Sequence, residues 1–144
     1  MKRFLFPLER VRRWRAEQAS VEELKLERLY GQLGALENEK RKIASERSAS
    51  ERMVLEQTSM YASELQALDT YRLHARSQIG QIEQGQREVT AEIAQQRQRL
   101  IEARRQAELL ERLKNKKFEE WQALASREEE TIAGELYLAN WRRT

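Results

Sequence analysis

Cysteine is absent, and proline, histidine and aspartate occur once each in the 144 residues. Without cysteine there is no disulfide, which fits a reducing cytoplasm. A lone His74 beside no cysteine also leaves no usual zinc site to assemble within the chain. There is no glycine-rich phosphate loop, no Walker lysine and no nucleotide fingerprint. A serine–histidine–acid triad needs a rigid concave pocket, so His74 reads as a surface residue rather than a catalyst. The expectation is a chain with no catalytic, cofactor-binding or metal-binding residue. Long apolar runs are missing as well. Nothing approaches the ~20 residues of a membrane span, and the apolar run after Lys2-Arg3 is too short for the core of a signal peptide. Aromatic residues make up only 7% and the net charge is +3, so no bulk attraction to nucleic acid or anionic lipid is forced. The basic residues lack a base-reading motif, and no segment has the wide apolar face of a membrane-surface helix. A soluble, cytoplasmic protein that does not bind nucleic acid is expected.

What the chain does have is charge, 35% of its residues, set in a background of Ala, Glu, Leu, Arg and Gln. All of these favour helix, and the near absence of aspartate removes a competitor for turns and caps. From Ser63 to about Trp121 the apolar residues Leu65, Leu68, Ala75, Ile79, Ile82, Val89, Ile93, Leu100, Ala103, Ala107 and Leu110 fall on a heptad spacing. Such spacing makes the narrow stripe by which one helix buries itself against another, and it argues against disorder. The first half carries a matching stripe, Leu26, Leu29, Leu33, Leu36, Ile43 and Val54. Lys40, Arg47 and Ser50 also occupy its positions; the long ones can bury their stems and keep their heads in water. Upstream, Val11, Trp14, Ala19, Val21 and Leu24 fit this register less cleanly.

The pattern predicts an all-α fold, an antiparallel two-helix coiled-coil hairpin whose second helix is longer and overhangs at the open end. Pro7 suits a first helical turn, so helix 1 is placed at about 7–58, the turn at about 59–63 and helix 2 at about 64–140, all within one domain, 1–144. The break is sought in Gln57-Thr58-Ser59-Met60-Tyr61-Ala62-Ser63, where Ser63 and Gln66 match a capping box. The competing arrangement is one unbroken helix in an intermolecular coiled coil. In the hairpin, positions adding to about 121 face each other, which leaves the last two dozen or so residues without an intramolecular partner. That overhang includes Phe118, Trp121, Leu124, Ile132, Leu136, Tyr137, Leu138 and Trp141. So much unpaired apolar surface calls for a partner or for self-association. Gly31, Gly34, Gly80 and Gly85 fall in one zone of the hairpin, either for close helix approach or as a compliant stretch. Charge is uneven too. Lys2, Arg3, Arg10, Arg12, Arg13 and Arg15 lie across from Arg104, Arg105, Arg112, Lys114, Lys116 and Lys117, and an acid-rich stretch follows. Arginines at a helix start oppose the helix dipole, so local stability does not account for this basic band.

The opening Phe4-x-Phe6-x-Leu8-x-x-Val11-x-x-Trp14-Arg15-x-Glu17 resembles the start of the FliJ family, coiled-coil components of the bacterial flagellar type III export apparatus. The stretch from Ile101 to Trp121 is similar to the family's late segment: an Ala-Arg step, a leucine core, a basic cluster and then an aromatic. The resemblance covers the whole chain through motifs of low specificity. It implies a non-catalytic stalk of the export ATPase, peripheral to the inner-membrane export apparatus without inserting in the bilayer. The open end would contact the hexameric ATPase (FliI-like) through Arg10, Arg13, Arg112, Lys114, Lys117, Trp121 and Trp141. The turn end would contact the export gate protein (FlhA-like) through Tyr71, His74 and Gln78, although the family commonly has an apolar or aromatic residue where His74 stands. It also implies a part in cycling export chaperones. Stalk proteins of virulence secretion systems, the YscO type, are similar in build, and a general structural tether or scaffold is the alternative from another class.

Overall fold

The computed structural model describes residues 2–57, 59 and 61–143. Two helices, α1 (Glu9–Leu55, 47 residues) and α2 (Ala62–Arg143, 82 residues), account for nearly all of them. They pack against each other as the expected hairpin, with α2 the longer. Cross-helix pairs keep an almost constant residue sum: Arg12–Glu111, Lys40–Glu83 and Arg72–Glu51 each add to 123. The chain divides into two compact units, Glu22–Arg99 and the stretches flanking it. A single hairpin domain was expected; both helices pass through both units.

The element ends differ from expectation by a few residues. Pro7 does not open α1. It disfavours helical geometry at Phe6, and Pro7 and Leu8 form a turn in which the Glu9 N–H donates to the Phe6 carbonyl at 3.1 Å. α1 closes with a tightened turn, Gln57 N–H to the Val54 carbonyl at 3.4 Å. α2 starts at Ala62, where the Tyr61 carbonyl takes the N–H groups of Glu64 and Leu65. Ser63 therefore lies inside the first turn and cannot head a capping box. Thr58 and Met60, part of the expected break, lie outside the described residues.

In the Glu22–Arg99 unit the seam runs as the spacing indicates. Leu68, Ala75, Ile82 and Ile93 are buried, and Ile79 and Val89 are half-buried. All nine positions of the α1 stripe, from Leu26 to Val54, are half-buried, Lys40, Arg47 and Ser50 included. The charged heads reach the edge, Lys40 to Glu83 at 3.2 Å and Arg47 to Glu51 at 3.2 Å. Leu65, assigned to the stripe, is exposed, and Glu64 one residue earlier is half-buried instead. Three polar residues complete the α2 stripe, the first being half-buried Arg72, which reaches Glu51 at 2.9 Å. Gln86 is half-buried and donates to Glu37 at 2.9 Å. Gln96 is only 5% exposed and donates to both the Glu22 carbonyl, at 3.0 Å, and the Glu22 carboxylate.

In the flanking unit, Leu100 is buried, and Ala103, Ala107 and Leu110 are half-buried. On α1, Glu9, Arg12, Arg15, Gln18 and Ala19 are half-buried, whereas Val11, Trp14 and Val21 are exposed. The register continues, but in charged residues. The segment before α1 lies along α2 as an extended strap. Phe6 is buried, Phe4 half-buried and the intervening Leu5 exposed, the alternation expected of extended chain with one face covered.

Candidate functional site

The basic open end of the hairpin is the site singled out by sequence, and its geometry begins with the strap. Phe4 meets Phe118 edge-on with ring centroids 5.2 Å apart, and Trp121 stacks on Phe118 at 5.7 Å. The Trp121 indole N–H donates to the Lys2 carbonyl at 3.1 Å. Phe118 and Trp121, counted from the sequence with the overhang, are thus in contact with the chain's own start, Trp121 half-buried and Phe118 still 39% exposed. Past Trp121, Leu124, Ile132, Leu136, Tyr137, Leu138 and Trp141 are all exposed.

Next to the strap lies a charged clasp. The Glu9 carboxylate receives Arg12 at 2.5 Å, Arg13 at 3.3 Å and, from α2, Lys114 at 3.2 Å. Arg12 also reaches Glu111 at 3.1 Å. Arg15 donates to Gln106 and lies over the Trp14 ring at 4.8 Å. The spacing explains Glu9: its i+3 and i+4 neighbours are both arginine. The hydrogen bond from Arg12, helped by Lys114, holds the Glu9 carboxyl at about 2, below its ordinary 4.5.

The expected ring-contact residues therefore separate into two groups. Lys114 and Trp121 are engaged within the chain. Arg10, Arg13, Arg112, Lys117 and Trp141 are exposed, although Arg13 also reaches the Glu9 carboxylate of the clasp; Arg112 and Lys117 pair with neighbours on their own helix, Glu108 and Glu120. The expected gate contacts lie in the other unit. Tyr71, His74 and Gln78 follow one face of α2 at steps of three and four. His74 and Gln78 are exposed, and Tyr71 is half-buried in an open groove with Ser50, Val54, Gln57 and Leu68. Sequence reasoning passed over Glu9, Gln86 and Gln96. Counting heptad steps without regard to polarity would have found the two glutamines.

Among the described residues, no cluster of three His, Cys, Asp or Glu side chains could hold a metal ion, and no helix is long and apolar enough to cross a membrane. No family model, curated protein or solved structure matches the chain.

The clasp has a pH signature. The carboxyls of Glu22, through Gln96, and of Glu51, through Arg72 and Arg47, are held below their ordinary range like that of Glu9. Each favours the ionised, folded form. Their contribution is complete above pH ~4.5 and is lost as pH falls through the lowered values. Melts followed by circular dichroism should show a steady midpoint from about pH 8 to 6 and a decline below about pH 4.5. Glu9→Gln with Glu51→Gln should start lower and fall less. A wild-type midpoint that rises on acidification would mean that repulsion among glutamates outweighs these pairs.

Proposed function

We propose that the chain is a non-catalytic stalk of a type III export ATPase, of the FliJ kind, acting in the cytoplasm at the inner-membrane export apparatus. The observation that carries the reading is the open end, where a collar of exposed arginine and lysine precedes a helix that runs on past Trp121 with its large apolar side chains exposed. The collar sits in the two segments whose residues resemble that family, and the exposed helix follows directly after the second of them. A charged collar can favour one ring state over another only by making different contacts in each. Arg10, Arg112 and Lys117 can supply them, together with the largely exposed Arg13 at the rim of the clasp, while Lys114 is held within it. On this reading Tyr71, His74 and Gln78 face the gate protein, and export chaperones are further partners.

The test is ATPase stimulation by the wild type and by Arg10→Glu/Arg13→Glu/Arg112→Glu/Lys117→Glu at several salt concentrations. Wild-type stimulation should fall as salt rises, because exposed charges interact over a Debye length of about 8–10 Å near physiological ionic strength. The variant should lose most of the stimulation at low salt while keeping its helicity. Stimulation equal to wild type would remove the collar from the account. A chain that fails to bind the ATPase yet forms a stable dimer by light scattering would point to a structural scaffold.

A further inference from the structure

We infer that the stretch pairing residues 31–41 of α1 with residues 80–90 of α2 is a soft joint, at which the Glu22–Arg99 hairpin bends without its helices parting. Four of the five glycines fall there: Gly31, Gly34, Gly80 and Gly85. The usual reasons for glycine do not apply. None of them has a positive φ. A Cβ would meet nothing within 4 Å at Gly31, Gly34 or Gly80, so the helices do not approach closely at those positions. At Gly85 it would touch only the Leu36 side chain, at 3.7 and 3.9 Å, an ordinary contact. What remains is their effect on the helix, which each weakens relative to alanine.

Other features of the stretch act in the same direction. The Thr90 hydroxyl donates to the Gln86 carbonyl at 2.7 Å, a back-bond of the kind that slightly destabilises a helix and that Thr70 and Thr131 also make elsewhere in α2. The seam here includes Lys40 and Gln86, tied across by Lys40–Glu83 at 3.2 Å and Gln86–Glu37 at 2.9 Å. Ile82 is buried, and Leu33, Leu36 and Val89 are half-buried beside it, which keeps the helices in contact while they flex. The joint stands independently of the stalk function.

Hydrogen exchange on the full chain tests it. Amides of 31–41 and 80–90 should exchange at least tenfold faster than those of 43–54 and 93–100, since local opening follows local stability. Gly31→Ala/Gly34→Ala/Gly80→Ala should slow exchange about tenfold in those two windows. Ser45→Ala/Ser77→Ala, at exposed helical positions outside them, should not. The cysteine-free chain also accepts spin labels at exposed positions 28 and 46, which flank the α1 window. Their distance distribution should be broad in the wild type and narrow in the triple variant. Exchange that is uniform along the hairpin, slowing by the triple variant spread equally over both helices, or a distribution equally narrow in both proteins would each overturn the joint.

Discussion

Replacing Glu22 and Gln96 together by leucine is expected to raise the melting temperature of the hairpin by about 10 °C and to cost it its single pairing. The layer is nearly dry: Gln96 is 5% exposed and the Glu22 side chain 18%. Burying two leucines there contributes about 1.5–3 kcal/mol each at most. For a chain of this size that is a few degrees per kcal/mol. The single substitution Gln96→Leu should act in the opposite direction. It leaves the Glu22 carboxylate with Lys25 at 3.4 Å but without its donor from across the seam, a loss of about 1–3 kcal/mol. The opposite signs distinguish a matched polar layer from a tolerated surface contact. Specificity follows from the same geometry. If α2 slid by one heptad, Glu22 would face Val89 or Ala103 and Gln96 would face Arg15 or Leu29. Polar residues in a seam disfavour such shifts at a cost in stability. The double variant, having lost this discrimination, should show mixed oligomers by light scattering. A Gln96→Leu protein more stable than wild type would rule out the pairing role.

That layer also shows where sequence reading reached its limit. The α1 stripe was legible because burial follows spacing, and even Lys40, Arg47 and Ser50 are half-buried where the spacing puts them. Apolar residues alone do not trace it further, however: Glu22, Arg15 and Arg12 are half-buried on α1 while Val11, Trp14 and Val21 are exposed. Hydrophobicity and register part company at this end, because cross-helix hydrogen bonds and ion pairs take the place of apolar contact. The site was legible in the same measure. Arg10, Arg13, Arg112 and Lys117 are exposed cations as composition suggests. Lys114 could not be told from them, since its engagement depends on Glu9, 105 positions away in the chain. The helix ends shifted for local reasons: Pro7 sets a turn, and the Tyr61 carbonyl begins α2 before Ser63.

The strap was the least legible element, and it carries the other large prediction. Phe6→Ala should lower stability by about 3 kcal/mol, the low end for a buried phenylalanine, or about 10 °C for a chain of this size. Leu5→Ala next to it, at a residue 78% exposed, should stay within about 0.5 kcal/mol of wild type. Both residues are large and apolar, Leu5 aliphatic and Phe6 aromatic; only the alternation of an extended chain tells which one is buried. The loss should be accompanied by a local change. Trp121 is held by Phe4, by Phe118 and by the Lys2 carbonyl, so freeing the strap exposes its indole. Trp14 and Trp141 are already exposed and can be replaced by phenylalanine to leave one reporter. In that background Phe6→Ala should shift Trp121 emission to the red and raise its quenching by iodide, and Phe4→Ala should do so more weakly, each aromatic pair being worth about 0.5–1.5 kcal/mol. Helicity at low temperature should change little, because α1 and α2 begin beyond the strap and keep their seam. Equal behaviour of Phe6→Ala and Leu5→Ala would mean that the strap does not dock in solution, and Phe118 and Trp121 would then join the exposed surface of α2.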